Sequence, residues 1–129
     1  MTKGDQMTAR EAPITTERWL EIIKPELEEF ADRGQQEQSW FNPGPDGPVS
    51  SATELICTLL DSYGFEKGSQ ELYLKISDAQ RAACLRFAQM VRAYARQHEG
   101  RYDNQEVLND PEWEKIRGAA KTLIGELYP

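Results

Sequence analysis

The stretch from Ser77 to Gly100 is the longest segment of this sequence with a regular hydrophobic period. It opens with Ser77-Asp78-Ala79-Gln80, in which the serine oxygen can accept from the amide of Gln80 while the glutamine side chain reaches back to the amide of Ser77. Gly100 supplies the permissive backbone that helix ends favour. The pattern predicts a long amphipathic helix over residues 77–99, whose apolar face is formed by Ala83, Cys84, Phe87, Val91, Tyr94 and Ala95.

Three other segments carry comparable helical patterns. Residues 16–33 follow a threonine cap and keep one apolar face, although Pro25 interrupts them, so we expect a helix kinked at Pro25; two helices meeting there is the alternative. Residues 51–63 open with a second capping box and stop at Gly64. Residues 111–127 follow an aspartate cap and begin with a proline, which predicts the last helix.

The segments between these helices are less regular. Residues 34–50 contain Pro43, Pro45 and Pro48 among glycines, which predicts a long loop. Residues 69–76 suit either a strand or a helical face, and since the sequence offers no second strand to pair with, we expect a short helix there.

These patterns predict an all-α fold, a compact bundle of four main helices with one or two short ones and the loop at 34–50. We expect residues 1–13 to be flexible and residues 14–129 to form a single helical domain. A chain of 129 residues, 39% hydrophobic and 29% charged, is long and apolar enough to bury a core without disulfides or metals.

The charge balance restricts the partners that the protein can bind. Its net charge is −7, and only the 78–100 region is basic, with four arginines against two acids. A protein that binds nucleic acid or an anionic membrane needs a strong basic surface, so we expect neither partner. Basic protein surfaces are the partners that an acidic protein attracts.

The sequence also bears on the cellular location of the protein and on the redox state of its two cysteines. Residues 1–7 lack the apolar core of a secretory signal, and the apolar run Leu55–Leu60 is too short to span a bilayer. We therefore expect a cytoplasmic protein in which Cys57 and Cys84 are reduced and buried.

The acidic face of the first helix is one candidate binding site. Its carboxylates are spaced by four, seven and four residues and so share the side opposite the apolar face: Glu17, Glu21, Glu28 and Asp32. Such a row could dock a basic protein surface, or it could be an ordinary solvated face. We expect no metal there, because carboxylates spread over four turns cannot converge on one ion.

The aromatic pair Trp40 and Phe41 is the other candidate. Beside a rigid loop, these side chains could anchor a protein interface. Alternatively, both rings pin the loop to the helical core.

The sequence contains no catalytic pattern that we can identify. It has no Gly-rich phosphate loop, no Cys/His metal spacing and no nucleophile elbow, so we expect no cofactor, no metal and no catalytic residues. His98, the only histidine, lies at a helix end without an identifiable catalytic partner, and Arg81, Arg92 and Arg96 are expected to pair with nearby acids.

The leading hypothesis is a non-enzymatic, acidic protein-binding module, for example an immunity or antitoxin-type inhibitor of a basic partner. The first alternative is a small-molecule-binding or enzymatic domain with a pocket near residues 40–48, formed by Trp40, Tyr63, Tyr94 and His98. The second alternative is a structural subunit of a homo-oligomer.

Overall fold

The protein is all-helical over the residues that the computed structural model describes, 14–45 and 50–129, and these contain no strand. The helices are α1 (Thr16–Ala31), α2 (Arg33–Phe41), α3 (Ala52–Cys57), α4 (Phe65–Gly68), α5 (Asp78–Gln97), α6 (Asn104–Leu108) and α7 (Pro111–Leu127), and a π-helical segment (Thr58–Ser62) follows α3. The predicted flexible segment 1–13 lies outside the described residues. None of the described helices is long and apolar enough to cross a membrane.

The ends of α5 and α7 are set by the local signals predicted for them. Both bonds of the capping box are present in α5, with Ser77 Oγ accepting from the Gln80 amide at 3.0 Å and Gln80 Oε1 accepting from the Ser77 amide at 2.8 Å. Gly100, at a φ of 72°, follows the end of α5. In α7 the Asp110 carboxylate accepts from the backbone of Glu112 at 2.9 Å, and Pro111 occupies the first turn.

Helix α1 is continuous through Pro25, so the alternative of two helices meeting there is wrong. The Thr15 hydroxyl caps its start by accepting from the Arg18 amide. The helix ends at Ala31 instead of residue 33, because Asp32 takes an extended backbone conformation and its carboxylate accepts from the Gln35 amide as the cap of a new helix.

That new helix, α2, corrects the predicted loop over 34–50. Residues 33–41 are helical, whereas residues 42–45 are irregular and residues 46–49 lie outside the described part of the chain. The polar sequence of α2 gives little hydrophobic signal, but its buried face carries Gln36, Ser39 and Trp40. The side-chain amide of Gln36 forms hydrogen bonds inside the protein.

In the middle of the chain, the structure differs from two other predictions. The predicted helix 51–63 starts at its Ser51 cap, but after Cys57 it widens into the π-helical segment, in which the Tyr63 amide donates to Thr58 O at 2.9 Å. The predicted short helix at 69–76 is wrong. The short helix is α4, and residues 71–77 form a turn and an extended approach to α5.

The core is built where α7 packs against both α1 and α5. A chain of aromatic rings runs through it, each with ring centres 5.3–6.3 Å from the next: Trp19, Phe65, Phe87, Phe30, Trp113 and Trp40. Aromatic pairs at such distances add to the free energy gained by burying their surface. The exposed sides of α1 and α7 are thereby held in a fixed relation to each other.

Candidate protein-docking surface

Three of the predicted acids lie together on the exposed side of α1. Glu17, Glu21 and Glu28 are all exposed, as their helical spacing predicts. Glu21 pairs with the exposed Arg18 at 3.3 Å, a contact that water and salt weaken. Lys24 instead places its ammonium 5.2 Å from the ring centre of Tyr128. We call Glu17, Glu21 and Glu28 the acidic row.

Asp32, the fourth predicted acid, has a different role from the other three. It lies beyond the end of α1, and its Oδ1 accepts from the Gln35 amide at 3.1 Å, so it caps α2. Asp32 nevertheless lies beside Glu28, because both residues line the same groove. The groove therefore brings Asp32 together with Glu28, whereas Glu17 and Glu21 lie outside its lining on the same exposed side of α1.

The groove lies between the end of α1, the start of α2 and the outer side of α7, and has a volume of about 730 Å³. It is lined by Glu28, Ala31, Asp32, Arg33, Gly34, Gln35, Lys121 and Ile124. Its apolar lining comes from Ala31 and Ile124. The guanidinium of Arg33 is engaged elsewhere, donating to Leu108 O at 2.7 Å and to Asn109 Oδ1 at 2.8 Å. A groove with charged and apolar walls suits a protein side chain better than it suits a compact cofactor.

The structure separates the two aromatic residues predicted to act as a pair. Trp40 is 7% exposed, its ring centre lies 6.2 Å from that of Trp113, and its Nε1 donates to Glu29 Oε2 at 3.1 Å. The core interpretation is therefore confirmed for Trp40, which is not available to a partner. Phe41 is 41% exposed and can contact one.

A buried polar network holds the groove in shape, and the sequence did not reveal it. Gln36 is fully buried, and its amide nitrogen donates to Glu29 O and Phe30 O at 2.8 and 2.9 Å. Its oxygen accepts from Trp113 Nε1 at 3.2 Å and from Arg117 Nε at 3.1 Å. These bonds tie the end of α1 and the body of α2 to α7.

Arg117 extends this network toward α6. It is 2% exposed, its guanidinium donates to Leu108 O at 2.6 Å, and it pairs with Glu114. Burial lowers the pKa of Arg117, and the Glu114 carboxylate partly offsets this effect. The charged guanidinium is therefore stabilised inside the protein by its hydrogen-bond and ion-pair partners. Nothing in the stretch Glu114–Gly118 distinguishes this arginine from an exposed one, because its burial follows from the position of α2.

His98 has a partner that the sequence did not identify. Its Nδ1 lies 2.9 Å from Tyr94 O and its Nε2 lies 3.7 Å from Asp110 Oδ2. The same Asp110 oxygen accepts from Tyr94 Oη at 2.8 Å, while its other oxygen caps α7. Burial, followed by the bond to Asp110, raises the pKa of Tyr94, so its phenol stays protonated as a donor. One Asp110 oxygen thus joins α5 to the start of α7, and the other caps α7.

Within residues 14–45 and 50–129, the four side chains of the predicted small-molecule pocket do not all contact one another; residues 46–48 of the predicted pocket region lie outside the described residues. Tyr94 and His98 stack with ring centres 4.1 Å apart, and Trp40 reaches them only through Trp113. Tyr63 lies near Glu26, where burial and then that carboxylate raise the pKa of the phenol. Among the described residues, no group of three or more histidines, cysteines and acids is arranged to hold a metal ion.

The two cysteines and the three arginines occupy different environments. Both cysteines are free thiols, and Cys84 is buried as expected, which raises its pKa to about 12. Cys57 is exposed, so the prediction that it is buried is wrong. Arg92 pairs with Glu66 at 2.7 Å, as expected, and Arg96 is exposed. Arg81 instead donates to backbone carbonyls, so the prediction that it pairs with an acid is wrong.

No protein-family model, curated protein or solved structure matches this chain. The geometry of the described residues is therefore the basis for the proposals that follow.

Proposed function

We propose that this protein is a non-enzymatic protein-binding module that engages the basic surface of a partner protein through the acidic row and the adjoining groove. The observation that carries this proposal is the continuity of Glu17, Glu21 and Glu28 with the groove that Glu28 and Asp32 line. An inhibitor of the immunity or antitoxin type is the concrete form that we favour. Such a protein covers a basic functional surface of its target.

The arrangement of charge supports this proposal physically. Exposed carboxylates on one helix side give a local negative potential, and the net charge of −7 adds to it over a longer range. Such a field accelerates encounters with a basic surface and disfavours acidic ones. The apolar floor at Ala31 and Ile124 offers surface that a partner side chain can bury.

The rest of the chain has a supporting role in this proposal. We propose a compact bundle of the four main helical segments in a single domain over residues 14–129, with the buried Gln36 network fixing the groove. Trp40 acts from within the core by positioning α2, and the exposed Phe41 at the end of α2 can contact a partner. The cytoplasmic location stays a prediction.

The first prediction is that reversing charge on the acidic row abolishes partner capture. The tagged protein is used as bait in an extract of its native cells, and captured proteins are eluted by increasing salt and identified by mass spectrometry. We expect a basic protein that elutes by about 0.5 M salt, because screening weakens contacts between exposed charges. The variant Glu21→Lys with Glu28→Lys should lose this protein.

The matched control is Asp61→Lys with Glu126→Lys, which makes the same change in net charge at two exposed positions outside the acidic row. It should retain the partner. Capture that persists at high salt, or that survives the Glu21/Glu28 reversal undiminished, would contradict the proposed function.

A further inference from the structure

The turn from Glu71 to Leu74 presents an almost fully exposed leucine. Leu72 is 91% exposed, whereas Leu74, two residues later, is 1% exposed and belongs to the core. Tyr73 and Ile14 are also exposed, at 39% and 41%, and both line a groove of about 290 Å³ at the start of α1. Leu72 precedes Tyr73 in the chain and lies beside this groove, outside its lining. Exposed apolar side chains next to a groove are typical of interaction sites. We call residues 71–74 the Leu72 turn.

The Leu72 turn is held in one conformation by bonds to its backbone. The Leu74 amide donates to Glu71 O at 3.2 Å, closing the turn. The guanidinium of Arg81 then donates to Ser69 O, Glu71 O and Leu74 O at 3.3, 2.7 and 2.5 Å. All three carbonyls are thereby drawn toward α5, leaving the Leu72 side chain outside.

A further bond ties the turn to α1. The Lys75 amide donates to Thr16 Oγ1 at 2.8 Å, which fixes the turn against the first residue of that helix. An exposed side chain on such a fixed backbone loses less conformational entropy on binding than one on a flexible loop. The turn is thus prearranged to insert Leu72 into a pocket.

The charges around the turn indicate the chemistry of its partner. Glu17, the first member of the acidic row, lines the same groove as Tyr73, together with Lys75. The acidic row therefore runs from the groove at α2 to the Leu72 turn. Because Lys75 balances Glu17 at this groove, the preference for basic side chains comes from the rest of the acidic row. A partner that covers both the row and the turn needs an apolar pocket with basic side chains on the side facing the row.

We infer that the Leu72 turn is the apolar anchor of the docking surface, and that Leu72 inserts into a basic-rimmed apolar pocket on the partner protein. This inference rests on the proposed function. It supplies an exposed apolar contact at one end of the acidic row, which the buried Trp40 cannot provide. An anchor side chain that a partner pocket buries contributes a large share of binding free energy, while neighbouring charges direct the encounter.

The test places a photoreactive benzoylphenylalanine at position 72 of the full-length protein, and at Asp61 as the control position, in the native cells. Irradiation is expected to link position 72, but not position 61, to a partner protein, and mass spectrometry locates the linked peptide. Support requires apolar residues and lysines or arginines in that linked region. The linked protein is then purified and its Kd measured by titration.

Leu72→Ala is expected to weaken this Kd at least about tenfold, with the melting temperature unchanged because the side chain is exposed. Met90→Ala, at the 36% exposed Met90 on α5, is the matched control and should bind as the wild type does. If the double variant Glu21→Lys with Glu28→Lys loses binding but Leu72→Ala binds as the wild type does, the anchor is overturned and the proposed function stands. Full binding by both variants would overturn both.

The linking pattern can also overturn the inference directly. Linkage of position 72 to residues 1–13 of the same chain would show that the chain covers its own turn. Linkage to a second copy, with a dimer in light scattering, would assign the turn to self-association. A product no stronger than that at position 61 would show that Leu72 has no partner.

Discussion

Gln36 shows how one buried amide can determine the geometry of a surface groove. A glutamine side chain has two N–H donors and one acceptor oxygen, and here both donors and the oxygen are used inside the protein. Two of its partners are carbonyls at the end of α1, which a helix leaves without intrahelical donors. The amide therefore completes α1 while orienting Trp113 and Arg117 on α7.

Replacing Gln36 with alanine should reduce the free energy of unfolding by about 3 to 5 kcal/mol, because buried donors of Trp113 and Arg117 would lose their acceptor. Chemical denaturation measured by tryptophan fluorescence tests this. Gln35→Ala, at the exposed neighbouring position, should change stability by less than about 0.5 kcal/mol. A loss below about 1 kcal/mol in Gln36→Ala would show that the network contributes little.

Among the helices and turns, α2 and the Leu72 turn differ most from the sequence prediction. The signals for α2 were weak because its residues are mostly polar, and its helical state depends on the Asp32 cap and on burial of Gln36. The hydrophobic spacing of residues 69–76 suits either a strand or a helix, and the lack of a second strand favours a short helix. Instead, the Arg81 guanidinium donates to the backbone carbonyls of a turn. The spacing of apolar residues within the turn could not predict this contact.

Arg81→Ala should loosen the Leu72 turn while leaving α5 folded. Three carbonyls would lose their charged donor, so we expect a loss of about 1 to 3 kcal/mol in unfolding free energy and faster hydrogen exchange at the amides of Leu74 and Lys75. Exchange measured by mass spectrometry or NMR tests this. Arg86→Ala, at an exposed position on the same helix, is the control. Unchanged exchange in Arg81→Ala would mean that the turn is held by its other contacts.

Packing of the whole molecule places an unfavourable charge at Glu26. Glu26 on α1 is partly buried, and its pKa is raised to about 7 by that burial and then by Glu29 and Glu54. The folded protein therefore binds a proton at Glu26 more tightly than the unfolded chain does, whose pKa is near 4.5. The stabilisation from this proton is complete below pH 4.5 and is lost as the pH rises through 7.

Glu26→Gln should accordingly make the folded protein more stable at pH 8, by about 1 to 2 kcal/mol once solvent screening of the half-exposed carboxylate is included. Urea unfolding of both proteins at pH 5.5 and pH 8 tests this, and the gain should shrink at the lower pH. Glu28→Gln removes one charge from the exposed side of the same helix and controls for net charge. An equal gain at both pH values would exclude the raised pKa as its cause.

Short-range patterns in the sequence determined the helical class and several helix boundaries. Capping at Ser51, Ser77 and Asp110 operates within three residues of chain, so its outcome can be read locally. The exposure of Glu17, Glu21 and Glu28 follows in the same way from the helical period. These acids are the part of the candidate site that the sequence predicted.

Tertiary structure alone decided which side chains meet across the molecule. Gln36 and Trp113 are 77 residues apart, and their bond depends on α2 packing against α7. Burial of Trp40, the joining of Asp32 to Glu28 in one groove and the contact of His98 with Asp110 likewise depend on which helices are neighbours. Exposure of Leu72 was decided in the same way, because Arg81 and Leu74 hold the turn from its inner side. Local spacing carries no information on such contacts, since they are selected by the packing of the complete core.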